Sequence, residues 1–425
     1  MLEKSAITGI YRTGREKNGS SLHDYGGSFL FFGERMHSPF SPPPAEAGPS
    51  ARPVGPVRSG RVASQGAASP GTGTRGARWR AWALPAAAAL CWLLSVPLAC
   101  LPGPLALPIG DVLRLLAVKL GMLPLTADID PAHLLVVGDI RLARVVLSLL
   151  CGGCLAVAGV ALQGVLRNPL ADPFTLGISA GAACGASLAI AFGGMLAAGQ
   201  ALLLGGLGGL VSAAAFAGSV LALGLALLLG RAGGSFQRET VILAGIAVAT
   251  FLGAVVALIK ALNEESVTSI VFWIMGSFQG RGWASLPLLL PSLCVGLAAV
   301  LAHWRELDVL VLGDRQATQL GLRVGPVRLW LLAGASCMTA GCVAVAGVIG
   351  FVGLVIPHML RLGMGGAHGP LLVGAWFGGG ILLVWADVVA RSVLSGGQEL
   401  PVGVVTALLG GPFFALLVRG RERTR

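Results

Sequence analysis

Residues 141–181 read RLARVVLSLLCGGCLAVAGVALQGVLRNPLADPFTLGISAG, and part of this stretch returns near residue 341. The first copy is Gly153-Cys154-Leu155-Ala156-Val157-Ala158-Gly159-Val160. The second is Gly341-Cys342-Val343-Ala344-Val345-Ala346-Gly347-Val348, identical at seven of eight positions. The same offset of 188 residues sets Pro169 on Pro357, so the register outlasts the match itself. Self-similarity at a fixed spacing marks an internal duplication.

Both copies lie in long apolar runs. The chain is 55% hydrophobic and 12% charged, against roughly 25% charged in ordinary soluble domains. Runs of about 20 apolar residues, each long enough to cross a bilayer core as a helix, recur from residue 81 onward. They are continuous rather than alternating, which argues against a membrane barrel. Ten crossings are predicted, over residues 81–101, 142–166, 174–193, 201–230, 241–262, 286–303, 329–348, 351–362, 371–393 and 402–418. The residues around Asn168 to Pro173 turn the second helix into the third, because proline cannot continue a helix. The segment 109–120 is expected as a surface helix, and 263–283 as an external connection.

The net charge of +11 would suggest a nucleic-acid partner in a soluble protein, but eleven of the 30 basic residues fall in positions 1–80, against five acids. That stretch, rich in Gly, Pro, Ser and Arg, is expected to be a disordered basic tail. It leads through Arg75, Arg78 and Arg80 directly into an apolar span, unlike a cleavable signal peptide. The apolar helical body is expected over 81–420 and a short basic tail over 421–425. The positive-inside rule puts both termini in the cytoplasm, consistent with an even number of crossings. The two copies then sit five crossings apart and enter the membrane from opposite faces. Two inverted five-helix repeats of this kind are a transporter arrangement.

Little chemistry accompanies this body. Asp387 and Arg391 stand at i and i+4 on one apolar helix, where they can neutralise each other or serve ion coupling. Cys151-Gly-Gly-Cys154 has the spacing of a metal or redox pair but no second ligand pair near it in sequence, and the eight cysteines read as small buried apolar groups. No phosphate loop, zinc-protease motif or nucleophile elbow occurs. Any energy must come from a partner at the cytoplasmic face, where residues 305–328 form the longest internal polar segment. There Asp314 is placed to cap a short helix over 315–320 and Gly321 to end it. At the opposite face, Arg141, Arg144 and Arg391 either form a cationic pocket or anchor in lipid headgroups.

Four stretches resemble the FecCD-type permease family of ABC importers for iron-siderophores, haem and vitamin B12. These are Arg141-Leu-Ala-Arg144, Asn168-Pro-Leu-Ala-Asp-Pro-Phe-Thr-Leu-Gly-Ile-Ser179, Gly350-Phe-Val-Gly-Leu-Val-Ile-Pro-His-Met-Leu-Arg361 and Glu399-Leu-Pro-Val-Gly-Val-Val-Thr-Ala-Leu-Leu-Gly410. The resemblance implies a homodimer of ten-helix subunits of the type II importer fold, two cytoplasmic ATPase subunits and an extracytoplasmic substrate-binding protein. Coupling to the ATPase is implied for Leu312, Gly313, Asp314, Arg315, Ala317, Leu320 and Gly321. Docking of the binding protein is implied for Arg141, Arg144 and Arg391. Asn168, Pro169, Asp172, Pro173, Pro357, His358 and Pro401 mark the structural motif. No cofactor or metal is expected on this chain, with ATP and Mg used by the partner. The expected cargo is a ferric siderophore or related chelate, with haem or cobalamin as alternatives. An ion-coupled secondary transporter and a pore are the rivals from other classes.

Overall fold

The computed structural model describes residues 74–422 apart from 104, 106, 127, 201–206, 232–237 and 395–396. The tail expected over 1–80 lies outside the described residues up to 73, as do 423–425 of the C-terminal tail. Among the described residues all regular structure is helical. The helices are α1 (Thr74–Cys100), α2 (Ile109–Lys119), α3 (Pro131–Leu135), α4 (Leu142–Leu166), α5 (Ile178–Gln200), α6 (Leu207–Gly230), α7 (Arg238–Leu262), α8 (Val267–Ile274), α9 (Leu286–Ala302), α10 (Trp304–Leu312), α11 (Asp314–Gln319), α12 (Val324–Ala346), α13 (Val352–Met364), α14 (His368–Ser392) and α15 (Val402–Glu422).

Seven of these helical stretches are long and apolar enough to cross a membrane, and Ile178–Gly193, Val352–Met364 and Val402–Leu417 are shorter apolar helices. Together they are the ten expected crossings. The helix expected from residue 142 starts earlier, because a π-helical turn at Val136–Arg141 joins α3 to α4 in one run from Pro131 to Leu166.

The duplicated stretch occupies the centre. α4 is apolar all round and nearly every residue from Leu142 to Leu166 is buried, as expected of a helix enclosed by others. Small residues let its neighbours approach. A Cβ on Gly159 would fall 1.9 Å from the Gly353 carbonyl of α13, and one on Gly152 would fall 2.2 Å from the Gly379 carbonyl of α14, so bare backbones form both crossings.

α12 carries the second copy and runs antiparallel to α4. One carboxylate, Asp314, is bonded both by Arg167 just beyond the C-terminus of α4 and by Arg328 near the N-terminus of α12. The repeat is therefore inverted, as expected. The copies nevertheless end differently. Gly159 sits in mid-helix, whereas its counterpart Gly347 adopts φ +74° and terminates α12. The chain then leaves helical geometry through Phe351 before α13 begins.

The connection expected over 263–283 contains a short helix of its own. This is α8, whose Ile270 is fully buried, and Ser277 N–H donates to the Ala346 carbonyl at the end of α12 (2.8 Å). The segment folds back into the bundle because its apolar run finds a buried surface there, and Trp283 Nε1 secures its return by donating to the Gly138 carbonyl (3.1 Å).

Candidate functional site

At one end of the bundle the polar segment 305–328 contains the expected short helix, α11, preceded by a second helix, α10. Gly313 opens α11 at φ 127°. Gly321 closes it at φ +85°, with its N–H bonded to the Thr318 carbonyl and the next N–H to Ala317. This is the left-handed stop that glycine supplies without a Cβ penalty. Ala317 is fully buried and fastens the helix inward, whereas Leu312 and Leu320 are 58% and 66% exposed. Arg315 is exposed as well.

Asp314 does not cap α11. Its carboxylate instead receives Arg328 (2.9 and 3.0 Å), Arg238 (2.5 Å) and Arg167 (3.0 Å). Arg167 also donates through Nε to the Leu310 carbonyl (2.7 Å). The short helix is thereby tied to the ends of α4, α7 and α12. Burial opposes ionisation of Asp314, but Arg328 and Arg238 outweigh it and hold the carboxyl below its ordinary value. Three guanidiniums around one carboxylate leave the cluster with net positive charge.

The turn beside this cluster is the Asn168 to Pro173 motif. Asn168 Oδ1 accepts the Leu170 N–H, and Asp172 Oδ1 accepts the Phe174 N–H (both 3.0 Å), capping the 3₁₀ turn Pro173–Leu176. Asp172 keeps a little open surface but is densely surrounded, and this desolvation raises its carboxyl to about 6 against the pull of the Phe174 N–H. Pro169 lies within the turn and Pro173 packs beside Gly353. Pro357 is inside α13, and His358 meets Phe413 of α15 edge-on at 6.0 Å.

At the opposite end the three arginines expected to dock a partner are internal. Arg141, Arg144 and Arg391 are each no more than 7% exposed. Arg144 grips Asp387 through two nitrogens (2.8 and 2.9 Å) and reaches Glu399 with a third (2.7 Å). Arg141 donates to the carbonyls of Cys100, Leu101 and Leu105, and Arg391 to those of Ala99 and Pro102. Cations thus satisfy the carbonyls at and just after the C-terminus of α1, the end a helix leaves unpaired. In this single chain the three arginines expected to dock a partner are thus turned mainly to internal acceptors rather than displayed at the surface. The Asp387 and Arg391 pair is real but long, at 3.8 Å, and secondary to Arg144.

The Cys151 and Cys154 pair meets Cys342 across the repeat, with the Cys342 thiol 3.7 Å from the Cys151 carbonyl. Among the described residues no group of three or more His, Cys, Asp or Glu is arranged to hold a metal. Cys91 and Cys294 are exposed rather than buried.

The sequence reading missed the partners more than the principals. Arg167, Arg238 and Arg328 stand 147, 76 and 14 positions from Asp314, and Glu399 stands 255 from Arg144. No spacing rule joins such residues. The one available signal was adjacency to motifs, since Arg167 precedes Asn168 directly and Glu399 opens the stretch before Pro401.

The FecCD transport family profile matches residues 89–420. The cobalamin import system permease protein BtuC of Halobacterium salinarum is 39% identical over 299 residues, covering 70% of this chain and 77% of the relative. The hemin transport system permease protein HmuU of Yersinia pestis is 40% identical, covering 67% and 84%. The Fe(3+) dicitrate transport system permease protein FecD of Escherichia coli is 37% identical, covering 68% and 87%. A solved chain assigned to the metal-chelate type of ABC transporter, in an inward-facing conformation, superposes with a TM-score of 0.67 at 28% identity, covering 79% of this chain and 99% of that one. The chain belongs to the FecCD transport family and is a multi-pass permease subunit of an ABC importer, a transport component whose ATPase is a separate subunit.

Proposed function

We propose that this permease carries a ferric siderophore or related metal chelate across the cytoplasmic membrane, working as a homodimer whose translocation path follows the dimer axis. Haem and cobalamin are the alternative cargoes, since the named relatives divide among cobalamin, hemin and ferric dicitrate. Two ATPase subunits dock on α10 and α11 from the cytoplasm, using Leu312, Gly313, Asp314, Arg315, Ala317, Leu320 and Gly321 to position or contact them. A substrate-binding protein docks at the other end. The observation that carries this reading is α11 and its flanks: exposed leucines, Leu312 ending α10 and Leu320 just after α11, bracket a short helix that one carboxylate ties to three spanning helices. A push on such a helix is delivered to both repeats at once. The positive-inside rule favours the same orientation, since Arg167, Arg238, Arg305, Arg315, Arg323 and Arg328 cluster at this end.

The test is uptake of a labelled chelate into proteoliposomes holding the permease, its ATPase and its binding protein. Gly321→Trp strains a left-handed position that has open space around it. It should leave insertion and ATP hydrolysis intact while uptake falls at least about tenfold, roughly 1.4 kcal/mol of lost coupling. Unchanged uptake removes the coupling role from α11. Uptake sustained by a proton or sodium gradient without the ATPase would replace the whole reading with a secondary carrier.

A further inference from the structure

A cavity of about 230 Å³ opens where three interrupted segments meet: the loop after α8, the end of α12 and the start of α15. Trp273, Ser277, Gln279, Arg281, Gly347 and Glu399 are among the residues lining it. Irregular backbone inside an apolar bundle is tolerated where it is enclosed by protein or lines a cavity, and transporters place binding sites at such breaks. The motifs described above supply Glu399 and Pro401 to its wall but assign nothing to Arg281 or Trp273.

The wall has donors without partners beside acceptors that already have one. Among the described residues the Arg281 guanidinium has no hydrogen bond or ion pair, although it is half-buried and its desolvation pulls its pKa down with no opposing anion. The buried Trp273 indole N–H also lacks an acceptor. The acceptors nearby are engaged with other donors, Glu399 through its Oε2. Glu399 is held by Arg144, the Ala346 carbonyl by Ser277 N–H, the Trp273 carbonyl by Gly276 N–H, and the Ser277 hydroxyl oxygen by Gln279 N–H. Pro401 is in the wall immediately before the first residue of α15, so the positive end of a long helix faces the same region. Gln279 is exposed, which puts it at the mouth.

A half-buried cation without a partner is costly, and an anionic oxygen is the group that removes the cost. The volume is below the few hundred Å³ that ordinary ligand pockets offer. It holds one arm of a cargo and not a whole chelate.

We propose that this cavity is a subsite for a carboxylate or similar anionic oxygen group of the transported chelate, with Arg281 as its binding residue. The proposal rests on the reading of the chain as a chelate importer and adds charge selectivity to it. A cargo bearing free carboxylates gains at this point, and a neutral one does not.

The first measurement is citrate binding to the full-length permease alone in lipid nanodiscs, read by tryptophan fluorescence and calorimetry, beside its neutral trimethyl ester. Citrate should bind in a salt-sensitive manner and the ester should not. Arg281→Gln should weaken citrate at least tenfold, and Arg281→Lys should recover part of the loss, which a folding defect would not do. No citrate binding to the wild-type protein overturns the proposal, as does equal binding to Arg281→Gln. A variant that loosens the dimer without changing citrate affinity also overturns it, because the anion on Arg281 would then come from the second copy.

The second measurement is uptake in the reconstituted importer. Arg281→Gln should slow carboxylate-bearing ferric chelates about tenfold relative to neutral ones, and an equal loss for both classes overturns the proposal. Failure here with normal ATP-driven transport leaves the importer reading standing. Citrate binding without transport of any chelate leaves the subsite and removes the importer.

Discussion

The two ends of the bundle are built on opposite charge arithmetic. At one end a single arginine, Arg144, is held by two carboxylates, Asp387 and Glu399, with the arginine at 8% and Asp387 at 0% side-chain exposure. At the other a single carboxylate, Asp314, is held by three arginines and is itself 44% exposed. The first network is buried, near charge balance once Arg391 is counted, and strung between α4, α14 and the start of α15. Breaking it strands a charge in a dry interior. The second carries excess cation and is open to water on its carboxylate side, while Arg328 behind it is buried at 3% side-chain exposure. The difference teaches that one end closes its charges away from water while the other presents its carboxylate to it, which suits the end proposed to meet the ATPase.

The sharpest way to break this comparison is Asp387→Leu. It strands Arg144 beside one remaining acid and should cost about 3–5 kcal/mol, seen as a large drop in thermal unfolding temperature and in monodisperse yield. Adding Arg144→Met should restore more than half of the loss. A double variant as unstable as the single one would mean that packing rather than charge locks this end.

Gly159→Leu tests the strut between the ends. The added side chain meets the Gly353 backbone, which has no flexible atom to yield, so it should exceed the usual 1–3 kcal/mol of overpacking. Both ends should lose protection from hydrogen exchange together. Loss confined to α13 would show that α4 does not transmit between them.

Asp314→Asn keeps an acceptor for the buried Arg328 but removes its counter-charge, and should cost about 1–3 kcal/mol of global stability. Uptake should nevertheless fall several-fold while insertion is normal. The carboxyl sits below its ordinary value, so its contribution is complete above the unfolded pKa of about 3.9 and is lost only as pH falls through the lower folded value. Between pH 5 and 8 the wild-type coupling should therefore not depend on this group. A titration of coupling in that range that Asp314→Asn abolishes would contradict the hub.

The smallest effect is expected at Asp172, whose carboxyl is raised to about 6. The folded state then binds more protons than the unfolded state between about pH 4 and 6, so stability declines as pH climbs through that window and stays lower above it. The wild-type melting temperature should be higher at pH 5 than at 7.5. Asp172→Asn should flatten that slope, and an unaltered slope would assign it elsewhere.

Much of the fold was legible beforehand. Apolar run length decided the ten helices, since a bilayer allows few alternatives, and the amphipathic pattern over 109–120 became α2. Gly321 ended its helix as glycine at that position predicts. The candidate site was legible only as a set of names. Arg141, Arg144 and Arg391 read as surface cations at helix ends, because nothing in a linear sequence reveals that the carbonyls after α1 and the acids of α14 and its sequel close over them. Asp314 read as a cap because its neighbours in sequence are a helix, while its neighbours in space are three arginines from three other helices.

The repeat that opened the reading states the division most directly. By itself the sequence determined that the chain spans the membrane, that it is duplicated, and that the copies must point in opposite directions, because hydrophobic length and crossing parity are local sums. What Gly153 to Val160 and Gly341 to Val348 become is not local. Seven shared residues continue as helix in α4, where Gly159 lies against the bare backbone of Gly353, and stop in α12, where Gly347 takes φ +74° beneath the loop after α8. Only tertiary packing chose between them, since the intrinsic preference of one glycine is worth about 1 kcal/mol and the surroundings of each copy outweigh it.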